Sequence, residues 1–214
     1  MQINWLSPLL AGFWLTLQFF FLTLILSLPL GLLGAVLRRK LTKTWAVILD
    51  VYVYVFRGTP LLLQMMFIYF GLPMMGLVVL DRFDAALVTL VLNYTAYFIE
   101  IFRGGIQAVP KGQFEAVKVL SINPLQAWWH VILPQVWRIT LPSIANEVIT
   151  LIKDTSLIYV LGLDDLLKVG RGLSNQHATM LPYLYVGIIY LLFTGLASII
   201  LRKLEEKMGV APNV

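Results

Sequence analysis

The sequence predicts an all-α membrane protein with five transmembrane helices in a single domain, residues 1–214. Of its 214 residues, 59% are hydrophobic and 13% are charged, a balance far from that of soluble domains. The apolar residues form runs long enough to cross a bilayer, and most Lys and Arg residues lie in the short segments between them. Cysteine is absent, so no disulfide framework is expected.

The first span is predicted over residues 9–37. No charged residue occurs before Arg38, and a helix over residues 9–37 is about 43 Å long, which exceeds the ~30 Å hydrocarbon core. This span must therefore tilt, kink at Pro29 or extend past the interface. It is not a cleavable signal peptide, because no Lys or Arg precedes it and the apolar run is too long. The positive cluster over residues 38–43 places the following loop in the cytoplasm and the N-terminus outside.

The other spans are predicted in the same way, from the apolar runs and from the positions of the Lys and Arg residues. Residues 45–56 are expected to form a helix near the cytoplasmic interface, divided from span two by the Arg57-Gly58-Thr59-Pro60 sequence. Making residues 45–56 a sixth crossing would put the polar loop between spans three and four outside, so five spans are preferred. Outer segments are expected over residues 81–84 and 162–180, and the C-terminus is cytoplasmic. Spans two to five are predicted over residues 60–80, 85–102, 134–163 and 182–201.

The stretch from Gln113 to Gln135 is the most distinctive part of the chain. It is too polar to cross a bilayer and too apolar for an ordinary loop, so a helical surface that faces a partner is expected. Ser121 and the Asn123-Pro124 pair predict a break followed by a second short helix, because Asn caps helices and Pro suits the first turn. An interfacial amphipathic helix without a partner is the alternative.

Polar side chains inside the spans are the candidates for function, since each charge costs on the order of 2.5 to 3.5 kcal/mol at a helix centre. Asn93, Asn146 and Glu147 are predicted to line a polar site. A carboxylate there would accept an ammonium group, and the amides would orient a carboxylate. Asp154, further out, is either another ligand contact or part of a structural pair with Lys153. A satisfied hydrogen-bond network without a ligand is the alternative.

The Gln113 to Gln135 stretch resembles the EAA loop of permease subunits of ABC importers. Its pattern is carried by Glu115, Ala116, Ser121, Val131, Leu133 and Pro134. Val117 replaces the second Ala of the family pattern, and Ser121 replaces its Gly. Three further phrases are similar to permeases of the polar amino-acid branch, and the resemblance runs from Leu9 to about Lys207. These phrases are VFRGTPLLLQMMFIYFGLP, YTAYFIEIFRGGIQAVPKGQFEA and ILPQVWRITLPSIANEVITLIKDTSL.

The resemblance implies the type I ABC importer permease fold, in the bacterial cytoplasmic (inner) membrane. It implies a second permease subunit in a homodimer or heterodimer, a cytoplasmic ABC ATPase dimer that binds ATP and Mg²⁺, and an extracytoplasmic amino-acid-binding protein. The substrate would be a polar L-amino acid, with Glu147 favouring a basic one, moved across the lipid bilayer by alternating access. No nucleic-acid partner is implied, and no cofactor is expected in this chain.

The resemblance also assigns a role to the cytoplasmic region over residues 111–135. A coupling helix there would sit in a cleft of the ATPase, with Glu115 available to pair with a basic group of the partner. The residues expected to form this coupling site are Glu115, Ala116, Ser121, Asn123, Leu133 and Pro134.

Two other functions compete with that of an importer. A stand-alone channel or an ion-coupled secondary transporter of small polar solutes would work without any ATPase. An intramembrane enzyme would need a nucleophile and a base at one depth, and no such pair is found. Motifs such as HExxH, GxSxG and the phosphate-binding loop are missing, so no catalytic residue and no metal site are expected.

Overall fold

The structure is a computed structural model that describes residues 5–210, so the two ends of the predicted domain lie outside the described residues. Over this range the chain forms ten α-helices, two π-helical turns and one 3₁₀ turn, without any strand. The helices are α1 Leu6–Arg38, α2 Lys43–Gly58, α3 Leu61–Met66, α4 Leu72–Met74, α5 Arg82–Ala108, α6 Lys111–Val119, α7 Pro124–Ala127, α8 Leu133–Asp154, α9 Leu166–His177 and α10 Leu181–Lys207.

Helix α1 covers the whole of the first predicted span, residues 9–37, and continues through Pro29 as one helix. It packs along α5, and the two backbones meet closely at Gly31. A Cβ atom added to Gly31 would lie 2.3 Å from Cβ of Phe98 and 3.0 Å from the carbonyl carbon of the same residue. Phe98 is fully buried at this crossing. The α1–α5 pair therefore depends on a position without a side chain.

Helix α2 includes residues 45–56, for which a helix was expected, and it packs against α5. Its Val53 packs in one buried cluster with Ala96 and Ile99 of α5, and the Tyr52 hydroxyl donates a 2.6 Å hydrogen bond to the carbonyl of Leu92. The chain then bends by 109° between α2 and the helical segment Leu61–Met74. Packing against α5 holds α2 in place, although α2 contains the polar Asp50. The carboxylate of Asp50 pairs with Arg38 at the end of α1.

The second predicted span is shorter than expected, because its helix ends at Met74 rather than at Leu80. Gly76 has a φ of +71°, a left-handed conformation that glycine adopts without steric cost. Its amide donates to the carbonyl of Pro73, and the amide of Leu77 donates to that of Leu72, which is a Schellman C-cap. The apolar residues after Gly76 are not helical. Because they are apolar, the prediction wrongly included them in the second span.

Helix α5 is the central helix of the bundle and is longer at both ends than the predicted span 85–102. Asp81 caps its N-terminus by accepting a 2.8 Å hydrogen bond from the amide of Asp84, so residues 82–84 are helical rather than an outer turn. At the other end the helix continues to Ala108 past the intrahelical Glu100–Arg103 ion pair. Its neighbours include α1, α2, α3 and α8.

The predicted fourth span 134–163 is an α-helix only as far as Asp154. A 3₁₀ turn, Thr155–Leu161, and the left-handed Gly162 follow it. The expected outer segment then contains α9, which Asp165 caps by accepting hydrogen bonds from two backbone amides of its first turn. Helix α10 covers the fifth predicted span, residues 182–201, and continues to Lys207.

Three helices of the described chain are long and apolar enough to cross a membrane: α1, α5 and α10. A fourth crossing is obtained when α2 and the bent segment Leu61–Met74 are counted as one broken span. Helix α8 is not among them: its 22 residues include four charged and two amide side chains, which lower its mean hydropathy below that of the other three helices.

Substitution of Gly31 by Ala should destabilise the protein by about 1–3 kcal/mol, because the methyl group cannot be placed without moving the backbone of α5. The change is measured as a lower midpoint of thermal unfolding in detergent. Gly195→Ala is the matched control, since no atom lies within 4 Å of a Cβ atom added there and Ala suits a helix better than Gly. Equal midpoints for the two variants would show that the α1–α5 contact is not tight.

Candidate coupling surface and intramembrane polar site

Helix α6 ends in a Schellman motif in which Ser121 takes the position usually held by glycine. Ser121 has a φ of +50°, and its amide donates to the carbonyl of Lys118 at 3.1 Å. The amide of Ile122 donates to the carbonyl of Val117, also at 3.1 Å. The turn requires a residue in the left-handed conformation, which explains the Gly of the EAA pattern. Ser121 adopts that conformation here.

The predicted break and restart of the helix are confirmed at Asn123. Its side-chain oxygen accepts a 2.9 Å hydrogen bond from the amide of Leu125, and Pro124 occupies the first turn. The second helix is not short, however. It runs from Pro124 through α7, the π-helical turn Trp128–Ile132 and α8 to Asp154. The Leu133-Pro134 pair begins α8 within this continuous helix.

A side-chain hydrogen bond joins the two arms of this turn, which are α6 and the helix that begins at Pro124. The side-chain amide of Gln135 donates to the carbonyl of Val131 at 2.7 Å and to the side-chain oxygen of Gln113, on α6, at 3.3 Å. Phe114 and Trp128 pack against the main buried core. A cavity of about 480 Å³ lies in the angle between the arms. The coupling segment, residues 111–135, is thus fixed to the bundle on one side.

The other side of the coupling segment is exposed and carries both charged and apolar side chains. Glu115 and Ala116 are exposed on α6, and within residues 5–210 Glu115 forms no ion pair. Val119 and Leu120, next to the turn, are 83% and 69% exposed. A carboxylate beside apolar side chains at a rigid turn suits contact with a protein partner that carries a basic group near an apolar cleft.

A second group of polar residues lies on one face of α8. The face is polar at helical spacing, and its side chains are exposed or half-buried although α8 is otherwise packed in the bundle. Charged groups in a bilayer face a water-filled cavity or other protein rather than lipid. These side chains are Ser143, Asn146, Glu147, Thr150, Lys153 and Asp154.

Asp154 and Glu147 are two helical turns apart on this face, and both are half-buried. The hydroxyl of the buried Tyr94 donates a 2.8 Å hydrogen bond to the carboxylate of Asp154. No salt bridge joins Asp154 to Lys153 among residues 5–210. The carboxylates thus lie where α8 faces α5.

Asn93 is buried and is not part of that contact. Its amide nitrogen donates to the carbonyl of Phe56 at 3.0 Å and to the side-chain oxygen of Gln64 at 2.9 Å. Gln64 in turn donates to the carbonyls of Phe56 and Thr59. The alternative, a satisfied structural network, therefore describes Asn93, which ties α5 to the bend between α2 and α3.

Arg57 is a cation beside α5 that sequence reasoning did not single out. Its guanidinium carbon lies 5.3 Å from the centre of the Tyr97 ring, and a guanidinium nitrogen lies 4.0 Å from the carboxylate of Glu100. Arg57 belongs to the Arg-Gly-Thr-Pro sequence that was read only as a boundary between helices. The bend after α2 places this cation beside α5 instead of at a loop tip. No group of His, Asp and Glu side chains suited to a metal ion is found among residues 5–210.

A helical bundle with a polar face along one of its helices and an exposed turn next to that helix is typical of the membrane subunit of a transporter. The described helices carry both features on one continuous segment, from the turn at Ser121 to Asp154. The chain belongs to the family of binding-protein-dependent transport system inner membrane components, whose model matches residues 27–210.

Similar proteins of known assignment are permease subunits of amino-acid ABC transporters, which confirms the resemblance first seen in the EAA-like stretch. The arginine transport system permease protein ArtQ of Bacillus subtilis is 36% identical over 203 residues, covering 94% of this chain and 92% of that protein. The glutamine transport system permease protein GlnP of Escherichia coli is 35% identical over 218 residues, covering 98% and 100%.

Solved structures support the same class. A crystal structure of an amino acid ABC transporter with histidines contains a chain that superimposes with a TM-score of 0.85 at 32% identity, covering 97% of this chain and 100% of that one. The MetNI methionine ABC transporter in an inward-facing conformation matches with a TM-score of 0.78 at 19% identity, and this likeness concerns the fold alone. The all-helical type I ABC permease fold is therefore confirmed.

Substitution of Ser121 by Gly should stabilise the turn by about 1 kcal/mol, because a left-handed conformation costs a residue with a side chain roughly 1–2 kcal/mol. The variant should unfold at a higher temperature than the unmodified protein. Lys118→Gly, in the last turn of α6, is the matched control and should lower the unfolding temperature. A lower unfolding temperature for Ser121→Gly would contradict the left-handed turn.

Proposed function

We propose that this chain is the membrane subunit of an ATP-driven importer that moves a polar L-amino acid into the cytoplasm, with a basic one favoured. The polar face of α8 carries the proposal, because it holds the half-buried carboxylates of Glu147 and Asp154 on one side of the helix, where Asp154 accepts a hydrogen bond from Tyr94. Carboxylates at this depth suit an ammonium or guanidinium group of a substrate. The names of the relatives, which specify arginine and glutamine transport, agree with a polar amino acid.

The substrate's own carboxylate would need a complementary group. Arg57 supplies the nearby positive charge on the α2 side, and Asn146 supplies an exposed amide on the polar face of α8. A zwitterion held between Arg57 and Glu147 would have each of its charges paired away from water. In this proposal Asn93 supports the site by fixing the bend from which Arg57 projects.

The membrane topology is proposed as five crossings with the N-terminus outside and the C-terminus in the cytoplasm. To α1, α5 and α10 we add the broken crossing of α2 with Leu61–Met74, and α8, which at 22 residues is about 33 Å long. Counting α2 and its bent continuation as one crossing keeps the coupling segment in the cytoplasm. The Lys and Arg residues that follow α1 and end α10 then lie on the same side.

The coupling segment is proposed to dock on one subunit of a cytoplasmic ABC ATPase dimer, which would bind ATP and Mg²⁺. Glu115 would pair with a basic group there, and the exposed Val119 and Leu120 would fill an apolar cleft. The polar face of α8 would meet a second permease subunit, so that the pathway has protein on all sides. An extracytoplasmic binding protein would deliver the amino acid, and the ATPase would drive alternating access.

The test is reconstitution in proteoliposomes, first of the permease alone and then with its ATPase and binding protein, against a panel of labelled polar amino acids. Uptake is expected only with the ATPase and ATP. Glu147→Gln should then lower uptake of the preferred amino acid by about tenfold or more, which corresponds to about 1.4 kcal/mol.

Asp84→Asn is the matched control for that substitution, since it removes an exposed carboxylate from the first turn of α5, away from the polar face. Uptake by the permease alone, driven by an ion gradient, would favour the secondary-transporter alternative. An unchanged substrate profile in Glu147→Gln would remove this residue from the site.

A charge reversal at the coupling surface provides a separate test. Glu115→Lys should lower uptake by about tenfold or more while ATP hydrolysis continues, because the basic partner group would now face a like charge. Glu206→Lys is the control: it reverses an exposed carboxylate on the cytoplasmic end of α10 and breaks only an exposed ion pair with Arg202. Normal coupling of hydrolysis to uptake in Glu115→Lys would exclude this carboxylate from the docking surface.

A further inference from the structure

A groove of about 730 Å³ lies between the C-terminal end of α1 and the coupling segment. One wall comes from the last turn of α1 and the residues after it, and the other from the region where α7 begins and passes into its π-helical turn. The proposed transport mechanism gives this groove no role. The lining residues are Val36, Arg39, Lys40, Asn123, Pro124, Leu125, Trp128 and Trp129.

The α1 wall of the groove carries two exposed cations. Neither Arg39 nor Lys40 forms an ion pair within residues 5–210, whereas the adjacent Arg38 is bound by both carboxylate oxygens of Asp50 at 2.6 and 2.7 Å. The guanidinium of Arg39 lies over the ring of Phe114, 5.1 Å from its centre. This ring contact orients the cation and leaves its donors available for an anion.

The remainder of the groove is apolar and aromatic. Leu125 and Trp129 are 66% and 56% exposed there. On α1, Val36 lies on the same helix face as Leu33, which is 53% exposed, and so continues the groove along the outside of the apolar helix. Tryptophan beside basic residues at the end of an apolar helix is typical of the level of lipid headgroups.

We propose that this groove binds one anionic phospholipid of the cytoplasmic leaflet. Its phosphate would lie between Arg39 and Lys40, the indole of Trp129 would pack at the glycerol level, and an acyl chain would follow Leu33 and Val36. Basic pockets on the cytoplasmic side of membrane helices suit such headgroups, whereas a zwitterionic lipid would bring a further positive charge next to the two cations. The inference uses the proposed membrane placement of α1 but does not depend on ATP-driven transport.

The lipid would be in contact with the coupling segment as well as with α1. Asn123 and Pro124, which start the helix that continues into α8, form the wall opposite the two cations. The bound lipid would therefore hold the turn of the coupling segment at a fixed position against α1. The anionic lipid content of the membrane becomes a determinant of how firmly this turn is seated.

Native mass spectrometry of the purified permease–ATPase complex tests the proposal. Dioleoyl phosphatidylglycerol and dioleoyl phosphatidylcholine are added separately at matched concentrations, and the retained lipids per permease are counted. The complex should retain phosphatidylglycerol selectively. The double variant Arg39→Gln, Lys40→Gln should bind it about tenfold or more weakly, since each basic residue near an anionic surface contributes roughly a fivefold factor.

Arg202→Gln, Lys203→Gln is the matched control, because it removes two exposed cations from the cytoplasmic end of α10, outside the groove. Unchanged phosphatidylglycerol binding in this control is expected. Equal loss in both double variants would overturn the proposal in favour of general surface charge. Lys40→Gln alone, which lies after the end of α1, serves where the double variant fails to assemble, and it should weaken binding about fivefold.

Two further outcomes would overturn the choice of ligand. Equal retention of the two lipids by the unmodified complex would show that the groove is closed by the ATPase or does not discriminate between headgroups by their charge. Complete displacement of phosphatidylglycerol by millimolar inorganic phosphate would show a phosphate site rather than a lipid site. Lipid counts do not depend on uptake, so an inactive transporter leaves this test intact.

Discussion

The carbonyl oxygen of Phe56 is the point on which the interior of this bundle depends. A bend of 109° after α2 removes backbone carbonyls from helical hydrogen bonding, and a bilayer offers no water to replace it. Two amide side chains supply the missing donors, Gln64 from the next helix and Asn93 from α5. Because Asn93 is buried on the central helix, the bend is fixed relative to the bundle, and Arg57 is held beside Tyr97 and Glu100.

The same constraint explains why α8 does not look like a membrane helix. A helix that places charged residues along one face lowers its mean hydropathy below that of α1 or α10, although it is long enough to cross a bilayer. The polar face can persist only where protein or water covers it, and the hydroxyl of Tyr94 covers part of it at Asp154. Membrane insertion and a polar pathway therefore impose opposite demands on one helix.

Apolar runs and flanking charges predicted α1 to within three residues at each end and the start of α10 to within one residue, because an uninterrupted apolar helix has no competing signal. They failed where local hydrogen bonds decide. Gly76 ends a helix inside an apolar run, and Asp81 begins α5 inside an apparent turn. The turn at Ser121 and the cap at Asn123 were predictable, since both are local. The separation of Asn93 from Glu147, and the position of Arg57, follow from a bend between helices, which no sequence period encodes.

The second arm of the coupling segment and the polar face of α8 lie on one continuous helix. From Pro124 to Asp154 the helix is continuous and about 46 Å long, and its irregularities are the π-helical turn Trp128–Ile132 and Pro142. A displacement of the turn at Ser121 is therefore carried along the helix axis to Glu147 without passing through a flexible loop. In the proposed transport cycle, movement of the ATPase would reach the substrate site through this helix. The contact of the same turn with Arg39 and Lys40 of α1 would set its resting position.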